Sequence, residues 1–110
     1  MKRAPPEMLQ GTVDVLILRA LAWEPMHGYA IAHWLDARSD GVLGVDGAAL
    51  YQALHRLEHR KWVAASWGLS ENNRRAKFYA LTPGGRAHLR SESATWARYA
   101  EAVFKVLSPG

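Results

Sequence analysis

The sequence predicts a mostly α domain carrying one small β-hairpin. Three observations lead there: segments of helical apolar periodicity, two short period-two segments around an Asn-rich turn, and a length of 110 residues, which suits one domain. At 49% hydrophobic and 22% charged, the chain can bury a core and is not of disordered composition. The absence of cysteine excludes a disulfide framework, cysteine zinc sites and a thiol nucleophile. No apolar run approaches the roughly 18 residues of a membrane span, because Asp14, Arg19 and Glu24 interrupt the best candidate. Met1–Pro6 has charges but no apolar stretch behind them, so no signal peptide is read there and a cytoplasmic setting is expected.

Residues 9–23 read as the first helix. Leu9, Val13, Val15, Leu16, Ile17, Leu18 and Leu21 cover nearly its whole circumference, so it is expected to be buried on most sides. Glu24-Pro25 ends it, because the residue before proline avoids helical dihedrals. A second helix is read over 27–38, with Ile31, Trp34 and Leu35 on one face. Ser39-Asp40-Gly41 marks a turn, and Val42, Leu43 and Val45 read as a short extended piece.

The third helix is read over 46–60, capped by Asp46. Leu50, Leu54 and Leu57 share its core face. Gln52, His55, Arg56 and His59 form a second, polar stripe that is flat at its start, at Ala48 and Ala49. Residues 62–69 and 76–81 read as two strands joined by Ser70-Glu71-Asn72-Asn73-Arg74-Arg75. Thr82 then caps a last helix with Pro83 at its first position. From Pro83 to Leu107 that helix would be roughly 37 Å long, too long to be covered by so small a domain. Leu89, Trp96 and Val103 recur every seven residues, and Tyr99, Val106 and Leu107 widen the stripe. Such spacing predicts a helix–helix seam with a partner chain.

Charge is unevenly placed. Net charge is +4, yet residues 50–90 hold eight Lys/Arg against two acids, interleaved with Tyr51, Trp62, Trp67, Phe78 and Tyr79. A concentrated basic surface is the footprint of a polyanion binder; a solvated basic face is the other reading. Three helices followed by a basic hairpin form the winged helix–turn–helix arrangement. In it the third helix enters the DNA major groove and the hairpin wing lies along the backbone or minor groove. On this reading residues 1–82 are the DNA-binding region and residues 83–110 a long C-terminal dimerisation helix, within one compact domain.

The chain also resembles a known family. Leu9-Gln10-Gly11-Thr12, Met26-His27-Gly28-Tyr29, Leu50-Tyr51 with Ala53-Leu54-His55-Arg56-Leu57-Glu58, Glu71-Asn72-Asn73-Arg74-Arg75-Ala76-Lys77-Phe78-Tyr79, and Leu81-Thr82 with Gly85 resemble the PadR family of transcriptional regulators, in its short form with a single C-terminal helix. The resemblance implies a dimeric DNA-binding regulator, usually a repressor, in some members responsive to phenolic or other flat aromatic molecules. Where the family's third helix usually begins Gly-Ser/Thr-Leu-Tyr-Pro, this chain has Ala48-Ala49-Leu50-Tyr51-Gln52. A hydroxyl able to contact phosphate is lost at Ala49, so no family operator is carried over; Gln52 can pair with adenine and Ala49 can pack on a thymine methyl.

The expected recognition residues are therefore Ala49, Tyr51, Gln52, His55 and Arg56, with a solvated stripe as the plain alternative. Tyr51 has two readings, packing at the core edge or reaching a phosphate with its hydroxyl. The expected wing contacts are Asn72, Asn73, Arg74, Arg75 and Lys77. Lys2 and Arg3 read either as an arm into DNA or as a disordered tail. The expected dimer seam is Leu89, Trp96, Tyr99, Val103, Val106 and Leu107, and Trp96 is the candidate contact for a flat aromatic effector. Trp23, Trp34, Trp62 and Trp67 read as core or hairpin packing, and His27 and His33 as packing or surface residues. His55 and His59 have metal-ligand spacing but lie among Arg56 and Arg60, so neither metal nor cofactor is expected. No Gly-rich phosphate loop, Ser-His-Asp set or carboxylate pair suggests catalysis. The expected partners are double-stranded DNA and a second copy of the chain, and the reading is a homodimeric repressor on a palindromic operator. The competing reading is a protein-interaction module that has lost specific DNA binding.

Overall fold

The computed structural model describes residues 11–109. The elements run α1 (Thr12–Trp23), β1 (Met26–His27), α2 (Gly28–Arg38), α3 (Gly47–His59), β2 (Val63–Leu69), β3 (Arg75–Leu81) and α4 (Pro83–Leu107). This is the expected mostly α domain with a small sheet. Leu9 and Gln10 at the expected start of α1, and the Lys2-Arg3 arm, lie outside the described residues.

α1 is the hub, packing against α2, α3, α4 and β3. Its Ile17, Leu18 and Leu21 meet Ile31 and Leu35 of α2, Leu50, Leu54 and Leu57 of α3, Val63, Tyr79 and Leu89 in one core. The all-round apolar character of α1 is thus used largely within the chain's own core. Trp23 departs from expectation: it stands at the C-terminal end of α1 and is 74% exposed, because Glu24 leaves the helix in an extended conformation. Among the described residues no helix is long and apolar enough to cross a membrane.

The sheet has three antiparallel strands in the order β1-β3-β2. β1 escapes a sequence reading because two residues carry no alternation. It exists through pairing, Met26 with Tyr79 and His27 with Phe78. The extended piece expected at Val42–Val45 is absent. Residues 39–43 instead form a turn around Ser39, whose hydroxyl donates to the Leu35 carbonyl (2.8 Å) and accepts from the Leu43 amide (2.9 Å). Local side-chain bonds of this kind compete successfully with strand pairing where no neighbouring strand is available. The hairpin turn closes through the Ser70 amide on the Arg74 carbonyl (2.8 Å), with Asn73 in the left-handed region at φ 60. Asparagine tolerates that conformation better than most residues.

α4 leaves the domain from a tied junction. The Thr82 hydroxyl accepts from the Gly85 amide (3.0 Å) as N-cap and donates to the Lys61 carbonyl (2.8 Å). The Trp62 ring stacks on His88 with centroids 3.6 Å apart and planes 14° from parallel. Gly85 sits so close to the Trp62 backbone that an added Cβ would overlap the Trp62 carbonyl oxygen. Only Gly85 and Leu89 of α4 are buried, so most of this 25-residue helix is not covered by the domain.

Candidate nucleic-acid interface

α3 is oriented by what it hides. Asp46 caps it by accepting from the Ala49 amide (2.9 Å), and Leu50, Ala53, Leu54 and Leu57 turn inward. Helical spacing then forces Ala48, Tyr51, Gln52, His55 and Arg56 outward, where they line one shallow depression. His59 is exposed one turn further on. Four expected recognition side chains are solvent-facing, and Ala49, half-buried, stands beside them.

Two of these residues have partners that no sequence reading located. Tyr51 lies against Gly28 of α2, where an added Cβ would meet its hydroxyl at 2.5 Å. Tyr51 thus packs on α2 while the residue as a whole stays 55% exposed. Arg56 donates from Nη2 to Oδ1 of Asp14 on α1 at 2.7 Å.

The hairpin tip carries Asn72, Asn73, Arg74 and Arg75, all exposed. Among the described residues neither Arg74 nor Arg75 forms an ion pair. The Arg75 guanidinium instead lies over the Trp67 ring, 4.5 Å from its centroid. Trp67 therefore does pack on the hairpin, as expected, although it remains exposed. Lys77 is placed differently from the tip. Its Nζ donates to Oε1 of Glu58 at 3.3 Å and lies over the Tyr79 ring, tying the wing to the back of α3. Burial pushes the Tyr79 phenol above its ordinary value of 10.0, opposed by the Lys77 charge and reinforced by Glu58. A raised folded-state value stabilises the fold below the unfolded value and is lost as pH rises through the folded one. Thermal melts are expected to lose stability above about pH 10 more steeply in the wild type than in Tyr79→Phe; equal slopes would remove the assignment.

Between α2 and the wing runs an open groove of about 1230 Å³ bordered by Tyr29, His33, Trp34, Tyr51, Trp67 and Arg75, among others. Tyr51 borders both this groove and the α3 depression, so the two surfaces are continuous. The groove was not legible in the sequence because it forms where α2 and the hairpin, separate in the chain, converge. Arg38 extends its basic character by lying over Trp34, 5.2 Å from the ring centroid.

On α4 the expected seam splits. Leu89 is buried in the chain's own core and is not on the projecting surface. Trp96 and Tyr99 meet edge to face with centroids 5.7 Å apart. Val103 is half-buried, whereas Val106 and Leu107 are exposed. Phe104, 69% exposed, joins the apolar surface; counting by sevens from Leu89 passes it by one position.

Comparison with known proteins agrees with this geometry. The transcriptional regulator PadR-like family matches residues 17–91. A transcriptional regulator from Clostridium thermocellum superposes with a TM-score of 0.81 at 25% identity, over 90% of this chain and 96% of that one. A PadR family transcriptional regulator from Eggerthella lenta gives 0.74 at 30% identity, over 92% and 86%. An uncharacterised protein of Lysinibacillus sphaericus is 27% identical over 97 residues, 88% of this chain and 89% of its own. The exposed α3 stripe, the basic wing and the long last helix thus sit on a shared scaffold, and the chain belongs to the PadR-like family of transcriptional regulators, DNA-binding proteins of winged-helix fold.

Proposed function

We propose that the protein is a homodimeric, sequence-specific repressor that binds a palindromic operator. The observation that carries this reading is the outward polar stripe of α3 beside a wing tip whose two arginines have no acidic partner among the described residues. Residues 1–82 form the DNA-binding region and residues 83–110 the dimerisation helix. Two α3 helices enter successive major grooves about 34–36 Å apart, which makes the site two-fold symmetric. Arg74 and Arg75 neutralise phosphates, the sequence-independent part of affinity. Gln52, His55 and Arg56 read base edges, with Ala49 against a thymine methyl. Tyr51 contributes a phosphate contact from the edge of the α2 groove. Lys77 contributes less than a free cation, because Glu58 already holds it. Repression and a cytoplasmic setting follow the family resemblance.

A flat aromatic effector is proposed to stack at Trp96, whose neighbour Tyr99 already presents an aromatic edge. Binding there would shift the spacing of the two reading heads. Fluorescence quenching by a planar aromatic, present in the wild type and lost in Trp96→Phe, is the expected result; quenching that survives the substitution would place the ligand elsewhere.

Anisotropy of a labelled duplex from upstream of the gene, run beside a scrambled duplex over a salt series, tests the central reading. Tight, salt-dependent binding to the native duplex by two chains is expected. Arg56→Ala is expected to cost about 1–3 kcal/mol and relax preference at one position, while Arg74→Ala weakens all sequences alike and lowers the salt slope by about one. Binding that is equal on both duplexes in every variant would exclude a specific regulator.

A further inference from the structure

We infer that Asp14 is a positioning residue for sequence discrimination: its carboxylate holds the Arg56 guanidinium in the orientation that α3 presents to a base edge. The inference rests on the proposed DNA-reading role of α3. Asp14 lies in the first turn of α1, and Arg56 is near the C-terminal end of α3, 42 residues later. Arg56 Nη2 donates to Asp14 Oδ1 at 2.7 Å, a charge-assisted bond of ordinary short length.

The two side chains are unequally exposed. Asp14 is 21% accessible and Arg56 is 49% accessible, so the acid is recessed beneath the base. A guanidinium carries five N–H donors on a rigid plane. One of them engaged by Asp14 restricts the orientation of that plane, and among the described residues no other acceptor takes the remaining donors. An unheld arginine must surrender its rotamer freedom on binding, worth about a two- to tenfold loss in affinity for the ordered contact. Holding it beforehand removes that loss only for the site that matches the held orientation.

The carboxylate acts in a second way. A binding mode that draws Arg56 toward an arbitrary phosphate uncovers Asp14 beside a polyanion, and that repulsion disfavours wrong sites. Stability of the fold does not require the pair. Half-exposed ion pairs contribute little, and α1 and α3 already share Ile17, Leu18, Leu50, Leu54 and Leu57 in the core. The wing pair, Lys77 with Glu58, lacks this property. Its members are similarly exposed, at 40% and 38%, and an ammonium is a point charge without a plane to orient.

The test is a double-mutant cycle on discrimination, using the full-length protein. The probe is a duplex of about 20 base pairs, two helical turns, recovered by the wild type from a randomised pool, measured against its scrambled version. Asp14→Asn, close in shape, is expected to lower the specific-to-scrambled affinity ratio about two- to tenfold without weakening scrambled binding. In an Arg56→Ala background the same substitution is expected to change nothing further. Asp14→Ala is expected to act the same way, with melting temperatures establishing that both variants fold. An unchanged ratio in Asp14→Asn with a reduced ratio in Arg56→Ala would overturn the inference and leave the DNA-reading role of α3 intact. An equal loss from Asp14→Asn with and without Arg56 would mark a merely structural role and also overturn it. A wild type with no preference for any recovered duplex would overturn the reading and the inference together.

Discussion

Replacing Tyr99 and Val106 together by Asp is expected to abolish the proposed dimer and to cut operator affinity by about a hundredfold or more. Both side chains are exposed on the projecting part of α4, Val106 at 83%, so the substitutions leave the protomer core untouched. Their surroundings on α4 are apolar, with Trp96, Phe104 and Leu107 nearby in sequence and all exposed. Carboxylates buried in a helix–helix seam would be desolvated without partners, which a small interface cannot tolerate. The affinity loss arises because a dimer's second reading head binds at the high effective concentration set by the first, worth about 10²–10⁴ in avidity. Sedimentation velocity reads the oligomeric state and anisotropy reads the affinity. A double variant that still sediments as a dimer would move the interface off this face of α4.

Gly85→Ala is expected to be the most destabilising conservative change in the described part of the chain, at about 3 kcal/mol or more, the upper range for overpacking. The added methyl would overlap the Trp62 carbonyl oxygen, and that carbonyl also accepts from the Thr82 amide at 3.1 Å. The two nearest atoms belong to the Trp62 backbone, so moving the Leu81 side chain, which is also crowded, would not relieve the collision. Relief requires α4 to shift from the Trp62–His88 stack, which alters the angle at which α4 leaves the domain. Gly28→Ala supplies the contrast. Its methyl also meets a neighbour closely, but that neighbour is the Tyr51 ring, which is half-exposed and can swing outward. A milder loss, about 1 kcal/mol, is expected there, together with weakened DNA binding as Tyr51 leaves its place. Thermal melts rank the two: Gly85→Ala should fall by about 10 °C or more, since each kcal/mol shifts a domain of this size by several degrees. A Gly85→Ala melt within a degree or two of wild type would show that the junction can relax.

Four helices, the hairpin and the family resemblance are legible in the sequence alone. Each helix announces itself through local physics: apolar spacing in α1, α3 and, at Ile31, Trp34 and Leu35, α2; an Asp46 or Thr82 cap; a Pro83 start; a Glu24-Pro25 stop. The outward residues of α3 were legible for the same reason, because once Leu50, Leu54 and Leu57 are assigned to the core, helical geometry leaves Gln52, His55 and Arg56 outside. The relations between elements, by contrast, emerge only in the folded chain. β1 has too few residues to show a pattern and is defined by pairing with β3. The Val42–Val45 stretch reads as extended, yet among the described residues it pairs with no strand, and Ser39 closes its first part, to Leu43, into a turn. Leu89 fits the seven-residue spacing, but the first turns of α4 lie against α1 and bury it in the protomer's own core. Trp23 looked like core and is exposed, because the chain leaves α1 just beyond it. The ties of Arg56 to Asp14 and Lys77 to Glu58 join residues 42 and 19 positions apart, and no periodicity extends over such spans. Local propensity and patterning act within a few turns of chain; charge pairing, edge pairing and burial depend on which surfaces the folded core brings together.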